Sequence, residues 1–363
     1  MEENKIRVAI THGDINGIGY EVILKTFAEP AILELCTPII YGSPKVATYH
    51  RKALDLPTNF SIINKAEDAR EGRVNMLTTF DEEVKVELGT PSAEAGKAAL
   101  IALDRAMEDY QKGLFDVLVT APIDKKSIQS DTFNFCGHTE YIQEKAGKGM
   151  KALMILFNEK LRVALVTTHL PIKDVASHIT KEAIIEKATI FFKSLLRDFS
   201  ISNPRIAVLA LNPHAGDSGV IGKEEQEIIT PAINELANAG IQCFGPYSAD
   251  GFFGSESYEK FDGILAMYHD QGLAPFKVLA MDDGVNFTAG LPIVRTSPDH
   301  GTAYDIAGKG VANENSFRQA IYAAIDIFRN RITYDEPLGN PLQKLYHEKR
   351  DDSDKIRFTM TKE

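Results

Sequence analysis

Ile206-Ala-Val-Leu-Ala-Leu-Asn-Pro-His214 begins as an unbroken apolar run and ends on a histidine. A strand with one wet face alternates apolar and polar residues, so consecutive apolar positions mean burial on both faces. Arg162-Val-Ala-Leu-Val-Thr-Thr-His169 and Gly263-Ile-Leu-Ala-Met-Tyr-His269 read the same way. Strands are therefore expected at 6–10, 38–41, 116–119, 153–157, 162–166, 206–211 and 263–267. Helical patterns lie between them. Ser92 is placed to cap an alanine-rich helix that stops near Gly113. Over 181–199, Ile184, Ile185, Ala188, Phe191, Phe192, Leu195 and Leu196 recur at helical spacing. Strands alternating with helices predict an α/β fold on a largely parallel sheet.

The whole chain narrows the function classes. Its 363 residues suit two domains rather than one modest core. A net charge of −11 without a clustered Lys/Arg run argues against nucleic-acid binding. No apolar run approaches a membrane span, and Met-Glu-Glu-Asn-Lys-Ile-Arg at the start has no apolar core of a signal peptide. Cys36, Cys136 and Cys243 are scattered and odd in number, which fits a reducing cytoplasm better than a disulfide framework. The charged stretch 346–363 reads as a solvated tail or a frayed helix.

Chemistry collects after the strands. His169, His214 and His269 each follow the C-terminal end of a buried strand, the edge where α/β sheets build ligand crevices. Neutral imidazoles suit a borderline divalent ion, although any single histidine is as readily a structural one. The segment after His269 is rich in turn residues and carries Lys277, Asn286 and Arg295. These suit carboxylate or phosphate recognition, or are loop cations. In Cys136-Gly137-His138-Thr139-Glu140, His138 or Thr139 is placed to cap the following helix, and the same helix start can seat an anion. The first turn, Gly13 to Glu21, invites a dinucleotide-binding reading that fails, because Val22 stands where the third glycine belongs. Near the end, Asp299-His300-Gly301-Thr302-Ala303-Tyr304-Asp305-Ile306-Ala307-Gly308-Lys309-Gly310-Val311-Ala312-Asn313 offers glycines, backbone donors and small side chains where a flat base could lie.

That last string resembles the adenosine-binding loop of the isopropylmalate and isocitrate dehydrogenases. The closer resemblance is to the 4-hydroxythreonine-4-phosphate dehydrogenase family of pyridoxal phosphate biosynthesis. Its motifs occur in order as Thr120-Ala-Pro-Ile, Gly137-His-Thr-Glu, Thr167-Thr-His-Leu-Pro, Leu211-Asn-Pro-His-Ala-Gly, Ala266-Met-Tyr-His-Asp-Gln-Gly and Arg295-Thr-Ser…Asp299-His-Gly-Thr-Ala. The chain departs from the pattern at Ile15, Asn16 and Tyr20, at Gly251 where threonine is expected, and in continuing past the usual end.

The resemblance implies two α/β domains with a cleft between them, 1–127 with 280–363 and 128–279. It implies a homodimer whose active site is shared across the interface. His169, His214 and His269 would bind one divalent ion per site (Zn, Mg, Mn or Co). His138, Thr139, Lys277, Asn286 and Arg295 would bind substrate. His300, Gly301, Thr302, Ala303, Asp305 and Asn313 would bind NAD, with NADP possible. Lys277 and Asp250 are the candidates for proton transfer. The implied reaction oxidises the C3 hydroxyl of 4-hydroxythreonine 4-phosphate to a 3-keto acid, which decarboxylates to 3-amino-2-oxopropyl phosphate. The alternatives are a related dehydrogenase for 4-phospho-D-threonate, 4-phospho-D-erythronate or a dihydrodiol, and a non-enzymatic metabolite-binding protein. The last would be marked by a lost metal or anion residue.

Overall fold

The structure, a computed structural model, describes residues 5–80, 84–130, 133–135 and 137–339. The expected charged tail at 346–363 and Cys136 lie outside them. Twelve strands form one sheet: β1 (Ile6–Thr11), β2 (Cys36–Gly42), β3 (Ser61–Ile63), β4 (Asn75–Thr78), β5 (Val117–Thr120), β6 (Leu153–Phe157), β7 (Arg162–Leu165), β8 (Ile206–Leu209), β9 (Cys243–Tyr247), β10 (Gly263–Ala266), β11 (Val285–Ala289) and β12 (Val294–Pro298). Their order is β3-β4-β2-β1-β5-β12-β11-β6-β7-β10-β8-β9. All seven runs expected as strands are strands, and β8, with the pattern Ile-Ala-Val-Leu, is buried at every position.

The expectation of a largely parallel sheet needs one correction, at its centre. The strands from β3 to β12 run one way, and those from β7 to β9 run the opposite way. The reversal takes place through three antiparallel pairings, β12 with β11, β11 with β6 and β6 with β7. The sheet passes through without a break, since β11 from the 280–363 stretch pairs with β6 from the 128–279 stretch.

Helices cover both faces. The Ser92 hydroxyl accepts from the Ala95 amide at 3.1 Å and starts the helix Ala93–Gln111. The small side chains of that helix (Ala95, Ala98, Ala99, Ala102, Ala106) allow close approach to the sheet. At Gly96 a Cβ would stand 1.9 Å from the Ser127 carbonyl oxygen, so only glycine fits. Thr180 caps the helix Lys181–Arg197, which buries Ile184, Ala188, Phe191 and Leu195. Fully burying such aliphatic and aromatic side chains stabilises a fold by roughly 1.5–3 kcal/mol each. The helix Asn315–Gly339 joins the two halves. Its buried Arg331 pairs with Asp198 at 2.6 Å, and Asn330 donates to the Asp198 carbonyl at 2.8 Å.

Two local expectations change. The segment after His269 is not a turn-rich loop: it forms the helix His269–Leu279, with Pro275 inside, and then β11 and β12. The helix His138–Ala146 has Gly137 at its N-cap with no side-chain cap, so neither His138 nor Thr139 caps it.

Candidate active site

The floor of the site follows from strand register. Ser297 pairs with Asn286 and Phe287 with Thr296, while Met154 pairs with Thr288, Leu118 with Arg295 and Val119 with Thr296. Because side chains alternate between faces, Thr120, Met154, Asn286, Thr288, Arg295 and Ser297 share one face of the central strands. The other face carries Val285, Phe287 and Ala289 into the core. Over this polar floor lies a cleft of about 220 Å³, walled by Lys125, by Gly137 to Glu140, by His169 and by Asp299 to Gly301.

Arg295 dominates the floor. It is 3% exposed, and its guanidinium donates to the Thr120 hydroxyl at 3.1 and 2.5 Å and to the Thr288 hydroxyl at 3.2 Å. Among the described residues it has no carboxylate partner. Burial pulls its pKa down to about 10, partly offset by the charge of Glu140. A buried charge without a counter-ion is costly, and ligand anions relieve that cost.

The imidazoles around it are held neutral. Burial, then the charges of Arg295 and Lys125, push His138 well below the ordinary histidine range. His169 is lowered by burial and by Lys125, whose ammonium donates to His169 Nε2 at 3.3 Å. His300 is lowered by burial, and its Nε2 is buried without a partner, as is Oδ1 of Asn286. Both unpartnered atoms belong to residues lining the cleft. Asp299 is raised to about 6 by burial, against the charge of Lys277. The Lys277 ammonium lies 3.7 Å from the Asp299 carboxylate and 3.4 Å from its carbonyl oxygen.

The three strand-end histidines are only partly brought together. The rings of His169 and His269 lie 6.1 Å apart and line one pocket with Tyr268 and Asp270. Asp270 accepts from His269 Nδ1 at 2.7 Å, which leaves Nε2 as the free donor atom. That pair suits a divalent ion in its chemistry. His214, however, is exposed and within electrostatic range of Asp250. Among the described residues no group of three His, Cys, Asp or Glu is assembled to hold a metal. Four non-glycine residues in a row around Gly216 (His214, Ala215, Asp217, Ser218) have left-handed backbones. This arrangement is held from below by the buried Glu225 carboxylate, which accepts from the Leu211 and Asn212 amides at 2.9 and 2.8 Å. Asp250 is exposed, and its pKa is lowered by the Ser248 hydroxyl that donates to it at 2.5 Å.

The expected cofactor string packs on the first turn of the chain. The Ile18 amide donates to the Thr302 carbonyl at 3.1 Å, and the Tyr304 hydroxyl donates to Asp14 at 2.8 Å. A Cβ at Gly13, which has a φ of +72°, would stand 2.3 Å from the Pro122 carbonyl oxygen. His300 and Gly301 line the cleft. Ala303 has a positive φ of 46°, Asp305 is exposed, and the Asn313 side chain accepts from the Asn315 amide at 2.9 Å. The departures at 16 and 20 have local reasons. Asn16 donates to the Thr90 carbonyl at 2.9 Å and the Ser92 hydroxyl at 3.1 Å, and Tyr20 stacks between His12 and His50, with ring centroids 5.1 Å away on each side.

Sequence reading missed Lys125, Glu140 and Asp299 as cleft residues. Glu140 closes one family motif, Asp299 opens the second part of another and Lys125 follows a third, yet nothing in Asp124-Lys125-Lys126 says which lysine faces inward.

Residues 34–324 match the model of a family described as pyridoxal phosphate biosynthetic protein PdxA. A 4-hydroxythreonine-4-phosphate dehydrogenase from Bacteroides thetaiotaomicron is 66% identical over 358 residues, 99% of this chain and 98% of its own. One from Sulfurihydrogenibium is 43% identical over 326 residues, 90% of this chain and 99% of its own. The crystal structure of a 4-hydroxythreonine-4-phosphate dehydrogenase from Klebsiella pneumoniae matches with a TM-score of 0.76 at 32% identity, covering 90% of this chain and 99% of that one.

Proposed function

The chain belongs to the PdxA family of pyridoxal phosphate biosynthetic proteins, and from that premise we propose that its cleft oxidises 4-hydroxythreonine 4-phosphate with NAD. A hydride leaves C3 and a proton leaves the C3 hydroxyl, and the 3-keto acid then loses CO2 to give 3-amino-2-oxopropyl phosphate. NAD, when bound, takes the hydride; NADP suits the chain less, because Lys309 is the one Lys or Arg in 299–313.

The observation that carries this reading is Arg295. Among the described residues its guanidinium has hydroxyl partners alone and lies buried on the cleft floor, which leaves its charge for a phosphate or carboxylate. Lys125, His138, Thr139 and Asn286 surround the same space, and Lys277 meets it through Asp299. Together they fix C3 in place, which is an orientation effect. Lys277 with Asp299, which lines the cleft, is better placed than Asp250, which does not, to take the hydroxyl proton within one chain.

His169 and His269 would hold a divalent ion (Zn, Mg, Mn or Co). When bound, that ion lowers the pKa of the substrate hydroxyl and offsets negative charge during decarboxylation. We propose a homodimer in which the partner subunit's His214 completes the donor set. Exposed apolar side chains on the segments that carry the three histidines support a covering partner: Ile172 is 73% exposed, Val220 82% and Val278 76%. The cytoplasm is the compartment in which Cys36 and Cys243 would persist as the buried free thiols they are.

The test is NADH formation with 4-hydroxythreonine 4-phosphate, 4-phospho-D-threonate and 4-phospho-D-erythronate, with and without added metal. The amino-acid phosphate should be the best substrate. A higher kcat/KM for either sugar acid would overturn the substrate assignment.

A further inference from the structure

The charges of the cleft do not sum to a simple anion trap. Arg295 and Lys125 supply two cations, and Asp299 is offset by Lys277. Glu140 is different. It lines the cleft, and it makes no hydrogen bond or ion pair with any other described residue. It is near enough to act on Arg295 and His169 through its charge without touching either. Its Oε2 lies 3.7 Å from the position a Cβ on Gly137 would take, and Lys125 Cε lies 3.8 Å from the same point. An acid and a base therefore flank one small space at the start of the helix His138–Ala146.

A free carboxylate beside an anion seat repels a purely anionic ligand, so it works against binding unless the ligand also carries a positive charge. The proposed substrate has a phosphate, a carboxylate and, at C2, an ammonium. We infer that Glu140 accepts a hydrogen bond from that C2 ammonium and so selects the amino-acid phosphate over its 2-hydroxy analogues. Arg295 and Lys125 then take the two anionic groups, and the three protein charges mirror the three ligand charges. The inference rests on the substrate class proposed above. It adds the residue that separates this substrate from 4-phospho-D-threonate and 4-phospho-D-erythronate, in which a hydroxyl replaces the amine.

The experiment compares wild type, Glu140→Gln and Glu140→Asp with the amino-acid phosphate and with 4-phospho-D-threonate. It measures kcat/KM by NADH formation and binding of both compounds by calorimetry. Removing a charge-assisted hydrogen bond should lower kcat/KM and affinity for the amino-acid phosphate by about ten- to a hundredfold in Glu140→Gln. Binding of the hydroxy acid should hold or improve, which also reports that the variant is folded. Glu140→Asp should recover part of the loss. Equal losses for both compounds, or no loss for either, would overturn the role of Glu140. Wild type that neither binds nor oxidises the amino-acid phosphate would instead overturn the substrate assignment and the inference with it.

Discussion

The polar floor and the histidine edge are two ways of building a site on one sheet. Floor residues stand on β5, β11 and β12, where register alone puts Thr120, Asn286, Arg295 and Ser297 on a common face. Strand pairing, with the Thr120 and Thr288 hydroxyls that accept from Arg295, fixes them within one chain. The histidines stand past the ends of β7, β8 and β10, on a loop, a left-handed turn and the start of a helix, and one chain brings His169 and His269 together without assembling His214 with them. Strand-borne groups are ready before binding; groups past the strand ends wait for another body to complete them. The floor should therefore bind anions by itself, and the edge should need both a metal and a second subunit.

Removing the metal puts the largest strain on this contrast. Chelation should lower turnover by roughly a thousandfold or more, whereas affinity for the substrate should change by no more than about tenfold. Loss of both to the same degree would mean that the regions are one unit. Sharing between subunits has a sharper test. His214→Ala and His269→Ala should each be inactive, yet their remixed dimers should regain about a quarter of wild-type turnover, because half of them are hybrids with one intact site. A mixture as inactive as its parents would place all three ligands in a single chain.

Acid probes the half of the fold that carries the floor. Burial lowers His12 and His50 from 6.5 to about 4. The unfolded chain takes up these protons near pH 6.5 and the folded chain only near 4. Stability is then complete above 6.5 and falls as the pH drops through that window, by on the order of 2–3 kcal/mol for each imidazole. Urea midpoints measured from pH 7 to 4.5 should show the decline, and His12→Phe should shallow it. A flat profile would mean that these rings are not held neutral.

Arg295→Ala comes next, with kcat/KM down by about ten- to a hundredfold and partial recovery in Arg295→Lys, which lacks the planar fork. Arg295→Met should lose activity as well while raising Tm, because it removes a buried charge that no carboxylate balances. A lower Tm would show that the Thr120 and Thr288 hydroxyls already compensate the guanidinium. The smallest effect is expected at Gly301. A Cβ there meets nothing within 4 Å, so Gly301→Val should fold normally and raise the KM for NAD by roughly fivefold, about 1 kcal/mol. An unchanged KM would move the cofactor off this loop.

The same contrast explains what could be read in advance. Strands such as β8 and β10, buried on both faces, announce themselves as continuous apolar runs. β11 and β12 did not, because their cleft-facing positions are Asn286, Thr288, Arg295 and Ser297, and polar residues at every second place in a Gly- and Pro-flanked segment look like loop. Arg295 thus read equally well as a surface cation, although it is one of the most buried charges in the molecule. The histidines were visible as a set because they recur after like strands. Their separation was not, since it depends on how each loop leaves the sheet. Lys125 and Glu140 were hidden for a simpler reason: which way a charged side chain points is decided by neighbours far away in sequence.

The bond from Tyr304 to Asp14 joins residues 290 positions apart, and Ala312 reaches back to Glu21 across 291. These contacts give the site a schedule. On a ribosome adding about 5–20 residues per second, the first turn emerges roughly 15–60 seconds before the loop that completes it. Through that interval the opening strand can pair with β2 and then β5, but β12 is still unmade and the first turn lacks the loop that packs on it. A nascent chain of this kind leaves its first turn uncovered until its last quarter is synthesised, and a truncation at either end removes the same contacts.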